Sequence, residues 1–205
     1  MRFENKSEFI LNCLRFTLPL HTIMTTYEEM EQLQAFARID GALIAGLWTL
    51  SFACFIGNFY APLLGIFAFA IGAFSLVFAA MRLRKFRDEV RDGFISFRRA
   101  LAYGIMQYLN ASLLFAVAQF LYFQFIDHGF MMTQYTAVMQ NPEFMEMMRT
   151  WGLTSDDVSL VMNNMAALRP IDVALQFFTT NVFMGLFVSI PVAILMRRSP
   201  RNRKY

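Results

Sequence analysis

The stretch "GALIAGLWTLSFACFIGNFYAPLLGIFAFAIGAFSLVFAAM", residues 41–81, contains no charged side chain. As one helix it would be about 60 Å long at 1.5 Å per residue, twice the ~30 Å hydrocarbon thickness of a bilayer. It must therefore fold back, and "GNFYAP", residues 57–62, is where it does so. Gly57 and Asn58 weaken a helix, Tyr60 suits an interface, and Pro62 suits the first turn of a new helix. Residues 41–81 thus read as a hairpin of two spans, 41–60 and 62–81.

Outward from the hairpin, residues 100–126 and 173–196 are again free of charge. They give a third span, 100–126, and a fourth, 171–196, with Pro191 a candidate kink near its end. Continuous apolar runs of this length are helices, because barrel strands alternate and are shorter. Composition agrees. Apolar residues are 57% of the chain and charged residues 16%, whereas a soluble protein carries roughly 25% charge to cover its surface. The expected fold is an all-α integral membrane four-helix bundle. Arg15 and Pro19 interrupt the apolar N-terminal stretch, which does not read as a cleavable signal. Cys13 and Cys54 are isolated and read as two buried free thiols.

Basic residues set the expected orientation. The linker 82–99 carries Arg82, Arg84, Lys85, Arg87, Arg91, Arg98 and Arg99, and the tail 197–205 carries Arg197, Arg198, Arg201, Arg203 and Lys204. Residues 127–170 hold only Arg149 and Arg169. Basic loops stay in the cytoplasm, so both termini are expected inside an inner (cytoplasmic) membrane, with 127–170 in the periplasm. A fluorescent reporter fused after Tyr205 should therefore light up in the cytoplasm, and a periplasm-only reporter there should stay silent; the reverse would invert this topology.

Residues 1–40 form a cytoplasmic arm and an extension of the first span. Within it "SEFILNCLRF", 7–16, suits an amphipathic helix in the headgroup layer, and Thr26 with Glu29 fits a capping box. In 127–170, Asn141-Pro142 and Thr154 with Asp157 are helix starts. Short amphipathic helices are expected at about 129–140, 142–151 and 155–167. Phe144, Met145, Met148 and Trp151 make one apolar stripe, with Trp151 as an aromatic anchor.

Candidate chemistry is sparse. Eight of the fifteen methionines lie in 127–170. Thioethers suit soft copper, but without a histidine cluster they read as adaptable packing or a partner surface, and no metal or cofactor is expected. Asp127 and Asp172 are interfacial acids, either of which can pair with Arg169, with His128 beside the first. Gln107, Asn110, Gln119, Gln176 and Asn181 are the polar groups of the spans. Asn110 and Asn181 both fall near mid-bilayer, which suggests a hydrogen bond between the third and fourth spans. Small residues spaced by four suggest close helix packing at Ala42/Gly46, Ala61/Gly65, Ala68/Gly72, Ala100/Gly104 and Gly185/Ser189/Ala193. No nucleotide loop, zinc spacing or nucleophile triad is visible. The basic linker reads as contact with anionic lipid, not nucleic acid.

"GFISFRRALAYGI" (93–105), "YFQFIDHGF" (122–130) and "NVFMGLFVSIPVAILMRR" (181–198) together resemble the domain of unknown function 4199, a four-span family of Bacteroidota membrane proteins. The resemblance covers roughly residues 35–198. Where the family often has Pro after the Asp, this chain has His128. The resemblance implies an inner-membrane location and the architecture above, and it carries no catalytic residues across.

The expected function is a non-enzymatic structural or accessory subunit that assembles with itself or with a membrane or peripheral protein partner, for which envelope or lipid-linked sugar machinery is one guess. The alternative is an oligomeric transporter or channel for small solutes or ions, which requires Gln107, Asn110, Asn181 or Asp127 to line a continuous polar cavity. An intramembrane enzyme would require Asp127, Asp172 and His128 to converge.

Overall fold

The computed structural model describes residues 4–198, with side chains described from Tyr27 onward. Seven helices follow in order: α1 (Glu4–Gly57), α2 (Leu63–Val90), α3 (Phe97–Phe125), α4 (Phe130–Met139), α5 (Pro142–Thr150), α6 (Ser155–Ala166) and α7 (Pro170–Met196). The fold is all-helical, and four of these helices, α1 from Tyr27, α2, α3 and α7, are long and apolar enough to cross a membrane. The hairpin turns where its sequence breaks. α1 stops at Gly57, and Tyr60 and Ala61 both donate to the Gly57 carbonyl before α2 opens after Pro62.

One sequence expectation fails at the N-terminal side. The backbone is helical through Thr26, so that residue does not start a helix. The side chains that would settle the interfacial helix at 7–16 and the state of Cys13 lie outside the described residues. Cys54 is free and half-buried.

The long helices pack in the order α2, α1, α3, α7, so that α3 lies between α1 and α7 and is the most enclosed of the four. Aromatic rings fill the space between α1 and α3. Trp48 lies 6.1 Å from Tyr108 and 5.7 Å from Phe115, and Phe52 sits edge-on to Tyr122 at 5.3 Å. Offset and edge-on pairs of this kind add to simple burial.

At the basic end, where α2 leads into α3 and α7 terminates, all four helices meet around Leu33, Ala37, Leu83, Phe86, Ala100, Tyr103 and Ala193. Arg87 is almost fully buried there. It pairs with Asp88 and donates from Nη1 to the Met196 carbonyl at 3.1 Å, which satisfies one of the open carbonyls at the α7 C-terminus. Ile95 and Arg198 then exchange two backbone hydrogen bonds and tie the tail to the linker.

The opposite end carries α4 to α6. Asn141 caps α5 through the Glu143 N–H, with Pro142 in the first turn, as the sequence suggests. Thr154 and Asp157 form the expected capping box of α6. The Thr154 hydroxyl and backbone N–H both donate to Asp157, and these bonds hold its carboxyl below the usual carboxylate range. Phe144, Met145 and Met148 are half-buried as one stripe, while Trp151 beyond them is exposed.

Candidate functional site

A buried ionic cluster sits at the basic end. Asp40 of α1 is 1% exposed, and Arg82 of α2 donates from Nε to its Oδ1 at 2.6 Å, with Nη2 on the same oxygen. Tyr103 of α3, fully buried, donates its hydroxyl to the other oxygen, Oδ2. Three helices thus share one carboxylate, which has a partner on each oxygen. Beside it, Glu29 takes Arg91 at 3.1 Å and also pairs with Arg99. A fully desolvated acid at a membrane boundary persists only when compensated in this way.

None of Asp40, Arg82 and Tyr103 stood out in the sequence, yet a signal was there. Asp40 and Arg82 are the charges that bracket the uncharged stretch 41–81, one on each arm of the hairpin. A tight hairpin must bring them side by side, and they are of opposite sign.

The acids that the sequence did single out serve the backbone. Asp127 is buried and accepts from the N–H groups of Gly129 (3.1 Å) and Met131 (3.0 Å). It therefore caps the start of α4, with His128 and Gly129 at positive φ in the turn (45° and 83°). Asp172 takes Arg169, as suggested, through Nε at 2.8 Å and Nη2 at 2.9 Å, and caps α7. Each acid thus closes its own helix start, and the convergence of Asp127, Asp172 and His128 that an enzyme would need does not arise from these bonds.

The polar groups of the spans divide by face. Asn110 donates to the Met106 carbonyl of its own helix at 2.7 Å, while the Asn181 Nδ2 is buried without a partner among the described residues, so the expected bond between them does not form. Gln107 is packed between helices at 1% exposure. Gln107, Asn110 and Asp127 are thus taken up by helix packing, own-helix bonding and capping.

The small-residue expectations hold best between α3 and α7. A Cβ built on Gly185 would stand 2.5 Å from the Tyr108 Cβ, and one on Gly104 would stand 2.7 Å from the Ser189 Oγ. Ala100 and Ala193 are both fully buried in the same interface. Ala68/Gly72 faces α1, where Ser51 donates to the Ala68 carbonyl. Gly46, by contrast, has open space around it.

At the far end, α4, α5 and α6 enclose a groove of about 500 Å³. Met132, Met139, Met145 and Met162 line it, with Gln140 and Asn163 among its polar residues and no charged side chain. Half of the eight methionines of 127–170 thus converge on one surface.

The family described as "Protein of unknown function (DUF4199)" matches residues 39–198. No curated protein and no solved structure matches the chain.

Proposed function

The chain belongs to the DUF4199 family, and from that premise we propose that it is a non-enzymatic membrane subunit that holds a protein partner in the methionine-lined groove of α4–α6. The groove is the observation that carries this reading. Its volume of about 500 Å³ lies within the roughly 300–1,000 Å³ range of sites that take a ligand or an anchoring group. Its apolar lining is mostly thioether, which repacks around varied shapes. An uncharged, methionine-rich groove suits one kind of occupant, the apolar face of a helix on a partner protein. In the expected topology this surface is periplasmic and next to the bilayer, within reach of another membrane protein.

A photo-crosslinking residue placed at Met162, in the groove, should give one discrete higher-mass species in native membranes. The same residue at Leu160, which is exposed and does not line the groove, should give none. Met139→Lys, which puts a charge in the groove, should remove the Met162 species. A species of twice the chain mass would make the partner a second copy. Equal cross-linking from both positions, or from neither, would overturn the groove as the contact.

A further inference from the structure

A crevice of about 110 Å³ opens between α1 and α2 at the basic end, lined by Phe36, Asp40, Arg82, Lys85, Phe86 and Glu89 among others. Asp40 and Arg82 flank the uncharged stretch 41–81, so the crevice stands where hydrocarbon gives way to headgroups. It is well below the roughly 300–1,000 Å³ of sites that enclose a whole ligand. It suits one charged group whose molecule continues outside.

Its charged groups have bonding capacity left. Arg82 spends Nε and Nη2 on Asp40, and among the described residues its Nη1 donates to nothing. One turn further out, Lys85 stands 3.8 Å from Glu89, a long pair between side chains 54% and 63% exposed. Such a pair contributes little, so both groups are free to take other partners. The two acids and two bases cancel in charge, which favours a neutral occupant carrying both signs over an anion. Their order along α2 matters as much. On the hydrocarbon side, Met81 lies four residues before Lys85 on the same face, and Leu43 lies three residues after Asp40; both are about half exposed. Moving outward, apolar surface gives way to the cations Arg82 and Lys85, and then to the anion Glu89, about 10 Å beyond Arg82 at 1.5 Å per residue. A phospholipid with an ammonium headgroup runs in the complementary order: acyl chain, phosphate, ammonium. A primary ammonium donates hydrogen bonds to a carboxylate, whereas a quaternary one cannot and seeks an aromatic cage. Phe36 and Phe86 meet here at 5.5 Å, but Phe86 is buried, which leaves a single exposed ring.

We propose that the α1–α2 crevice holds the headgroup of an ethanolamine-type phospholipid from the leaflet at the basic end. Its phosphate sits on Arg82 Nη1 and Lys85, its primary ammonium on Glu89, and its acyl chains run over Leu43 and Met81. The bound lipid ties α1 to α2 beside the Asp40 cluster. This site is narrower than the anionic-lipid contact expected of the linker as a whole, and it stands independently of the groove reading.

The test follows thermal unfolding of the full chain in detergent with short-chain phospholipids that differ only in headgroup: ethanolamine, choline or glycerol. The ethanolamine lipid should raise the unfolding temperature by several degrees, as a ligand bound only to the folded state does. The choline and glycerol lipids at the same concentration should raise it clearly less. Glu89→Lys gives the crevice a net positive charge and should reverse the order, so that the anionic glycerol lipid stabilises more than the ethanolamine one. Lys85→Met should lose most of the ethanolamine-lipid shift. Both positions are exposed, so each variant without lipid should unfold near the wild-type temperature, which separates lost binding from lost folding. Free phosphoethanolamine, which has the charges without the chains, should have no effect. Equal shifts from the ethanolamine and glycerol lipids on wild type, an order unchanged in Glu89→Lys, or a full shift retained in Lys85→Met would each overturn the proposal. An equal response to free phosphoethanolamine would overturn a lipid as the source of the headgroup.

Discussion

Arg82→Met is expected to destabilise the protein by about 3–5 kcal/mol, the range found when one member of a buried ion pair is removed. The size follows from what stays behind. Asp40 is 1% exposed and fixed on α1 among packed helices, so its charge cannot reach water. Tyr103 would still donate to it, but one neutral hydrogen bond does not replace a guanidinium. The reciprocal change, Asp40→Leu, should cost less, because the Arg82 side chain is 23% exposed and its long stem lets the charge move toward the headgroups. The pair together should be nearly silent. Asp40→Leu with Arg82→Met replaces two desolvated charges by apolar groups, an exchange that is often neutral or stabilising. Thermal unfolding in detergent, followed by the loss of monodisperse protein on gel filtration, gives the order Arg82→Met, then Asp40→Leu, then the double variant closest to wild type. A double variant as unstable as the sum of the singles would mean the cluster is held by something other than this pair.

That cluster also marks where sequence reading stops. The spans, the turn at 57–62 and the caps at Asn141 and Thr154 were legible because their causes are local: lipid imposes a length on an uncharged run, and a cap needs only residues two or three apart. Interhelical pairing depends on azimuth, which depth does not give. Asn110 and Asn181 share a depth, but Asn110 lies beside Gly41 of α1, whereas continuing the register of Gly104 with Ser189 and Tyr108 with Gly185 puts Asn181 across from Ser112. At 100° per residue, positions 110 and 112 point about 160° apart around α3. The methionine groove was half legible: the sequence concentrates methionines in 127–170, but only the packing of α4 against α5 and α6 selects four of them. Asp40 and Arg82 escaped notice because charges at span ends look like topology signals, although their opposite signs at the two ends of one hairpin were a usable clue.

Gly185→Ala and Gly46→Ala are the same chemical change with expected effects of opposite sign. At Gly185 the added methyl would stand 2.5 Å from the Tyr108 Cβ and 2.7 Å from its Cγ. Those atoms lie next to the α3 backbone and do not swing aside when the ring rotates, so the two helices must separate. Forcing one carbon into such a contact typically costs about 1–3 kcal/mol, and here the strain would spread along a seam whose close approach recurs at Gly104 and Ser189. Gly46 meets nothing within 4 Å, so alanine there only stiffens α1, with a helix preference of up to about 1 kcal/mol over glycine. Gly104→Ala should fall between them: its methyl would meet the Ser189 Oγ at 2.7 Å and Cβ at 3.0 Å, and the hydroxyl, unlike a backbone-bound carbon, can rotate away. Unfolding temperatures in one detergent should therefore rank Gly46→Ala at or above wild type, Gly104→Ala below it and Gly185→Ala lowest. Because the ranking depends on which residue opposes which, an equal response at Gly46 and Gly185 would reject the α3–α7 register itself.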